Sequence, residues 1–366
     1  KIDLVKGYHQ VAMAPDDVPK TAIVTPFGLF EYLYMPFGLR NAAQTFQRLM
    51  DRLFRHLPFV FSYVDDHLIA SRTWEEHLDH LRQFFEILRE AGLRINPAKC
   101  VFAAAELDFL GHRVSASGIS PLSRHVEALQ KFPRPGDVKS LQRFLGLVNF
   151  YRRFLPGIAG VVRPLTDSLR GTARHLVWTA AMASAFEAAK RAVAEAAPLA
   201  HPSHNAVLAL AVDASESHVG AVLQQLCGGG WRPLAFFSAK LSPTQSRYSA
   251  FDRELLAAFS AIRHFRFLLE GRLFRLLTDH KPLVAALSRL SPPWSARQQR
   301  HLAYIAEFTS DVRHTPGVDN VVADALSRPL SPQPPSCPLP GTSRLVEALP
   351  PPVEPSPPSV DVWPAS

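Results

Sequence analysis

Phe61-Ser-Tyr-Val-Asp-Asp-His-Leu-Ile-Ala70 decides how this chain reads. Asp65 and Asp66 interrupt a run of strand-forming residues. That is a costly place for charge, because an ionised carboxylate buried without a partner loses several kcal/mol of solvation. Two resolutions are open. The pair is the polar tip of a β-hairpin, where aspartates are common. Or the two acids hold a divalent cation, which prefers hard oxygen ligands and makes magnesium the economical choice. Successive side chains on a strand point to opposite faces, so both acids reach one site only near a hairpin tip.

Two further blocks flank this one. Asp3 lies in Lys1-Ile-Asp-Leu-Val-Lys-Gly-Tyr-His-Gln10, another β-prone run with an acid inside it. Between them stands Met35-Pro-Phe-Gly-Leu-Arg-Asn-Ala-Ala-Gln-Thr-Phe-Gln-Arg-Leu-Met-Asp51. Pro36-Phe37-Gly38 reads as a turn. Phe46, Leu49, Met50 and Leu53 recur at helical spacing, which predicts a helix after Asn41.

The chain has 366 residues, enough for two or three domains, and 47% hydrophobic content can build ordinary cores. Net charge is +8, and its placement says more than its size. Between Gly118 and Arg174, ten Lys or Arg face only Glu127, Asp137 and Asp167, so +7 gathers in one stretch. Within it, Leu141, Phe144, Leu145, Val148, Tyr151 and Leu155 form an apolar face, and Arg143, Arg152 and Arg153 fall largely off it. Such charges are either a solvated helix face or a grip on a nucleic-acid duplex. Their density fits the grip better, because neutralised phosphates supply most of the affinity. Three cysteines, Cys100, Cys227 and Cys337, are an odd count without metal spacing. A disulfide framework is not expected, and a reducing intracellular setting is the default. No apolar run of membrane-spanning length and no signal peptide is visible.

A second acid-bearing unit follows a linker-like segment. Trp178–Ala197 reads as an Ala-rich helix, with Pro198 and Pro202 after it. Ala206–Asp213 is a strand ending in an acid, and Gly220–Gln225 and Pro233–Ser238 read as the next two strands. Ser249–Leu269 is helical and carries Glu254. Phe274–Asp279 is a strand with another acid at its end. Gln298–Phe308 is helical, Ser310–His314 strand-like, and Asn320–Ser327 a last short helix with Asp324. Each acid alone suits a surface or cap position. Strands first, then acids at strand ends and on helices, spell a ribonuclease H fold. From Pro329 to Ser366, 13 of 38 residues are proline, a composition that buries no core and is expected to be an extended tether.

The blocks around Asp3, Met35–Asp51 and Tyr63-Val-Asp-Asp66, with Phe109-Leu-Gly-His112, resemble the polymerase of gypsy-type long-terminal-repeat retrotransposons. The resemblance continues through Thr278-Asp-His-Lys-Pro-Leu283 and Asn320-Val-Val-Ala-Asp-Ala-Leu-Ser-Arg328 into the ribonuclease H domain of the same Pol polyproteins. It runs from Lys1 to about Arg328.

It implies a multidomain α+β and α/β chain. Residues 1–115 would be a reverse-transcriptase palm, an antiparallel sheet with helices. Residues 116–204 would be a helical thumb/connection and linker. Residues 205–328 would be a ribonuclease H-like mixed sheet with flanking helices, and 329–366 a Pro-rich disordered tail.

The implied activity is RNA-directed DNA polymerase with ribonuclease H. Asp3, Asp65 and Asp66 match one metal-binding carboxylate set, and Asp213, Glu254, Asp279 and Asp324 match the other. Each set would hold two Mg2+, with Mn2+ as an alternative. Tyr8 matches the aromatic beneath the sugar that excludes a 2′-hydroxyl. Phe37 and Gly38 would line the nucleotide pocket, and Lys99 would be a phosphate-side lysine. Core packing for Tyr8 and Phe37, and a solvated surface for Lys99, are the alternatives when each is taken alone.

The implied partners are an RNA template, a DNA primer, deoxynucleoside triphosphates and an RNA–DNA hybrid, together with other Pol and Gag products of the element and no membrane. The implied location is intracellular and cytoplasmic, with a virus-like particle or the nucleus as alternatives. The resemblance places a fingers subdomain upstream of Asp3, so weak polymerisation by the chain as written is expected beside a complete nuclease. A ribonuclease H-only enzyme and a non-catalytic nucleic-acid-binding relic are the rival readings. One departure concerns a mobile histidine loop that related ribonucleases H often carry before the last aspartate. The segment between His314 and Asp324 is too short for it, and His314 receives no catalytic role. The tail would lead towards an integrase, or is a read-through segment.

Overall fold

Three short strands build the sheet around the Asp-Asp hairpin: β1 (Ile2–Asp3), β4 (Val60–Tyr63) and β5 (Asp66–Ile69), in the order β1-β5-β4 and all antiparallel. The computed structural model describes residues 1–170, 176–288 and 294–316. They fall into two units, Lys1–Ala116 and Ser117–Ser366.

In the first unit a small hairpin of β2 (Ile23–Thr25) and β3 (Gly28–Phe30) precedes helix α1 (Ala42–Phe54), and helix α2 (Trp74–Glu90) follows β5. Helix α1 starts where the periodicity places it. Phe46, Met50 and Phe54, four residues apart, form its buried stripe and pack with Ile2, Leu4, Ile69, Phe84 and Leu88. Thr73 caps α2 by accepting a hydrogen bond from the Glu76 amide. Strands β6 (Glu106–Phe109) and β7 (His112–Ser115) close on Leu110-Gly111, both with positive φ (45° and 80°). That is a type I′ hairpin loop and explains the glycine in the Phe-Leu-Gly-His block.

His67 faces the core of this unit and is fully buried. Its ring lies 5.4 Å from the rings of both Phe54 and Phe84, and its Nδ1 is 2.9 Å from Ser62 Oγ. Burial pushes its pKa down to about 4. The native state thus refuses a proton that the unfolded chain accepts near pH 6.5. This contribution is whole above about pH 6.5 and is lost as pH falls toward 4, by up to about 3 kcal/mol. Melting at pH 7.5 and pH 5 checks it. The His67→Leu chain should lose fewer degrees between the two than the parent, and equal losses would place the acid sensitivity elsewhere.

The second unit opens with β8 (Gly118–Pro121) and helices α3 (Ser123–Gln130), α4 (Val138–Phe150), α5 (Ile158–Val161), α6 (Arg163–Asp167) and α7 (Ala180–Ala194). A five-stranded mixed sheet follows: β9 (Leu208–Ala214), β10 (His218–Cys227), β11 (Gly230–Lys240), β12 (Phe274–Thr278) and β13 (Val312–His314), in the order β11-β10-β9-β12-β13. The first three pair antiparallel, and β12 runs parallel to both β9 and β13. Helices α8 (Ala250–Leu269), α9 (Lys281–Ser288) and α10 (Ala296–Phe308) complete it. The expected strands and the helix over 249–269 match these elements; α3 and α9 had no reading in the sequence. The expected last helix, 320–327, lies outside the described residues, as does the Pro-rich tail.

Strand β9 is buried on both faces, which is why it reads as an unbroken apolar run. Leu208, Leu210 and Val212 pack with Leu255, Ala258 and Ile262 of α8. Ala209 and Ala211, with Val222, Trp231, Phe236 and Leu277, share a core with Phe144, Phe154, Leu165 and Phe186 of the preceding helical segment. The helices are therefore the second cover of the sheet. A bridge between Ile119 and Leu199 ties the start of this unit to the approach of β9, with both N–H···O distances 2.8 Å. At Gly118 (φ +145°) a Cβ would lie 2.2 Å from the Leu199 carbonyl oxygen, so no other residue fits there. Cys100 and Cys227 are free thiols, and Cys337 lies outside the described residues. Among the described residues no helix is long and apolar enough to cross a membrane.

Candidate metal centres

The Asp-Asp hairpin closes on the Tyr63–Asp66 pair, with Val64 and Asp65 as its two-residue loop. Val64 has φ +52°, a left-handed conformation that is strained for a β-branched residue by about 1–3 kcal/mol. A positive φ at the first loop position alone is the type II′ form, which normally takes glycine. Gln47 of α1 holds the strained loop. Its Oε1 accepts from the Val64 amide at 2.7 Å, and its Nε2 donates to the Ser62 carbonyl at 3.2 Å and to Asp51 Oδ1 at 2.8 Å. Gln47 was not singled out in the sequence. Its only signal there is a polar residue beside Phe46 on a helix that faces the hairpin.

Asp66 pairs in register with Asp3, and Asp65 sits against Gly7, where a Cβ would come within 3.1 Å of the Asp65 Cβ. The three acids thus gather at one end of the sheet. Lys1 Nζ lies 2.9 Å from Asp66 Oδ1, and Lys99 Nζ lies 3.8 Å from Asp3 Oδ1. That Asp3 oxygen is buried and accepts no hydrogen bond. Burial raises the Asp3 pKa, Lys99 opposes the rise, and the charges of Asp65 and Asp66 add to it. The ring of Tyr8 lies 5.7 Å from that of Phe37 and 5.6 Å from that of Phe46. Phe37 is largely exposed, and Gly38 (φ +92°) has open space around it.

The second unit gathers its acids more tightly. Asp213 is near the end of β9, Glu254 is in the second turn of α8, and Asp279 follows β12. Their oxygens lie within 4.8 Å of one another, the only such group of three among the described residues. Asp213 and Glu254 are each 5% exposed. Glu254 Oε1 accepts from the Ala214 amide at 3.0 Å, while Oε2 is buried without a partner. Burial first, then the charges of Asp213 and Asp279, push its pKa up to about 8. Hard oxygen donors that repel one another, one of them unsatisfied, fit a divalent cation. Asp324 lies outside the described residues. His314 is exposed at the end of β13.

The arginines differ in their surroundings. Arg143 stands exposed on α4. Arg152 Nη2 donates to the Ser238 carbonyl at 2.7 Å, tying the segment after α4 to β11. Arg153 is exposed and lies over the Phe154 ring. Helix α4 buries Leu141, Phe144 and Val148 and exposes Arg143, Gly146, Leu147 and Phe150. A Cβ on Gly146 would meet nothing within 4 Å. Glycine costs a helix interior about 0.5–1 kcal/mol relative to alanine. No internal packing requires it here.

Residues 1–114 match the family model of reverse transcriptase (RNA-dependent DNA polymerase), and residues 178–276 match that of the RNase H-like domain found in reverse transcriptase. The chain thus carries a reverse-transcriptase domain and an RNase H-like domain, and its relatives are retrotransposon Pol polyproteins. The second match includes Asp213 and Glu254. Relatives include the retrovirus-related Pol polyprotein from transposon 297 of Drosophila melanogaster, 38% identical over 89% of this chain and 30% of that protein. The transposon Tf2-3 polyprotein of Schizosaccharomyces pombe is 34% identical over 90% of this chain and 25% of that protein. The chain therefore spans under a third of the length of these relatives. Among solved structures, a foamy viral protease–reverse transcriptase with double-stranded DNA matches with TM-score 0.77 at 22% identity, covering 86% of this chain and 56% of that one. The same kind of protein with an RNA/DNA hybrid matches with TM-score 0.75 at 22% identity, covering 99% and 46%. At that identity the likeness establishes the fold.

Proposed function

We propose that this chain synthesises DNA on an RNA template at Asp3, Asp65 and Asp66 and cleaves the RNA strand of RNA–DNA hybrids at Asp213, Glu254 and Asp279, with Asp324 as the fourth acid. The observation that carries the reading is the Asp213–Glu254–Asp279 triad, two of its acids buried, with its unsatisfied Glu254 oxygen. The ions are Mg2+, two per centre, with Mn2+ as the alternative. When bound, they lower the pKa of the attacking hydroxyl or water and neutralise charge on the phosphate.

The chain's own residues do the rest. Burial and the charges of Asp213 and Asp279 favour the protonated form of Glu254, and a proton held there must leave before the carboxylate acts as an anionic ligand. Gln47 keeps Asp65 and Asp66 at the tip of the hairpin. Tyr8 and Phe37 form one side of a nucleotide pocket in which Tyr8 crowds a 2′-hydroxyl, and Lys99 turns to a phosphate. Primer, template and deoxynucleoside triphosphates are the palm's substrates. The setting is intracellular, among other Pol and Gag products. The test is a labelled RNA annealed to DNA. With Mg2+ the chain should cut it, with a chelator it should not, and duplex DNA should stay intact. Chelator-resistant cutting, or none in either ion, would overturn the nuclease reading.

Helix α4 and the turn after it are the proposed duplex grip, with Arg143 and Arg153 on phosphates and Arg152 chiefly structural. The bare Gly146 surface admits close approach of a partner. Gly146→Ala should then raise the melting temperature, as the helix gains about 0.5–1 kcal/mol, while hybrid affinity falls several-fold. Filter binding and melting of the same samples check both signs. A variant that is more stable and binds equally well would remove α4 from the interface.

A further inference from the structure

We infer that Lys1 is a built-in counter-cation of the palm carboxylates, one that holds Asp66 in competition with divalent ions. The inference rests on the palm reading above. Lys1 immediately precedes β1, two residues before Asp3, and Asp3 lies opposite Asp66 in register. From there Lys1 Nζ reaches to 2.9 Å of Asp66 Oδ1, with both side chains about three-quarters covered (23% and 27% exposed). An ion pair this sheltered is screened less than a surface pair. Yet the Asp66 oxygen receives no well-aligned hydrogen bond from it. The ammonium supplies charge on a flexible stem rather than a fixed fork, so it can be displaced.

The consequence is double. Without a cation, Lys1 relieves the repulsion among Asp3, Asp65 and Asp66 and keeps the hairpin assembled. With one, it repels a like charge a few ångströms away and weakens its hold. A residue that only supported the fold would, on removal, leave cation affinity unchanged or lower it. Removing a competing charge raises it.

The full chain carrying Asp213→Asn and Asp279→Asn, which silence the nuclease triad, is titrated with Mn2+, and free Mn2+ is counted by electron paramagnetic resonance. Lys1→Met should bind Mn2+ about tenfold tighter after allowance for solvent screening. Its cation-free melting temperature should fall, and Mn2+ should restore it. Lys1→Gln, which keeps a donor toward Asp66 without the charge, should also tighten binding, whereas Lys1→Arg should match the parent. Parental or weaker affinity in both Lys1→Met and Lys1→Gln overturns the inference, while Mn2+ binding that Asp65→Asn abolishes would still uphold the palm reading. Mn2+ binding that Asp65→Asn leaves intact would overturn the palm reading and the inference with it.

Discussion

Asp279→Asn is expected to lower hybrid cleavage at least about 100-fold while leaving the melting temperature level or slightly raised. Losing even an outer partner of a metal ligand costs about 10–100-fold, so a direct oxygen should cost no less. Stability should not follow activity. Asp279 lies just past the end of β12 and is only half-buried, and its charge is one of the causes that raise the Glu254 pKa. Neutralising it removes repulsion from a buried group. Initial cleavage rates and melting curves on one preparation decide the matter. A variant that cuts at the parent rate would remove Asp279 from the centre. One that is inactive because it is unfolded would show that the acid is structural.

Asp65→Asn is expected to reduce primer extension on an RNA template by a comparable factor. Asp65 packs against Gly7 at the hairpin tip, and asparagine keeps its shape. The charge and one ligand oxygen are lost. In the same assay Tyr8→Ala should extend with deoxynucleotides and also admit ribonucleotides, because the proposed pocket loses the ring that packs beside Phe37. Full extension by Asp65→Asn would end the palm assignment. Unchanged sugar selection by Tyr8→Ala would end only the gate.

The legible features were those with a period or a charge in an improbable place. Acids inside strand-like runs marked Asp65 and Asp66, acids at strand ends marked Asp213 and Asp279, and helical spacing marked α1. Pairwise geometry was not legible. Nothing in Tyr-Val-Asp-Asp announces that Val64 adopts a left-handed conformation, since that residue type disfavours it and a tertiary clamp from Gln47 sustains it. Arg152 read as a duplex contact because helical periodicity, carried past Phe150, places it off the apolar face. Sequence spacing could not show that β11 offers the Ser238 carbonyl to it. Helix α9 is short, follows an acid and a histidine, and carries too few turns for a repeat to register. The apolar residues of α4 and α7 look like a helical core in their own right, whereas they complete the core of the sheet that follows.

That shared core bears on how such elements exchange parts. A crossover between two related copies near residue 200 would set one copy's sheet under the other's helices. Ala209, Ala211 and Phe236 would then meet side chains shaped for different partners. A crossover at Ala116–Ser117 leaves each core with its own complement. Viable recombinants should therefore break at that junction, and the helical segment and the nuclease should be inherited together.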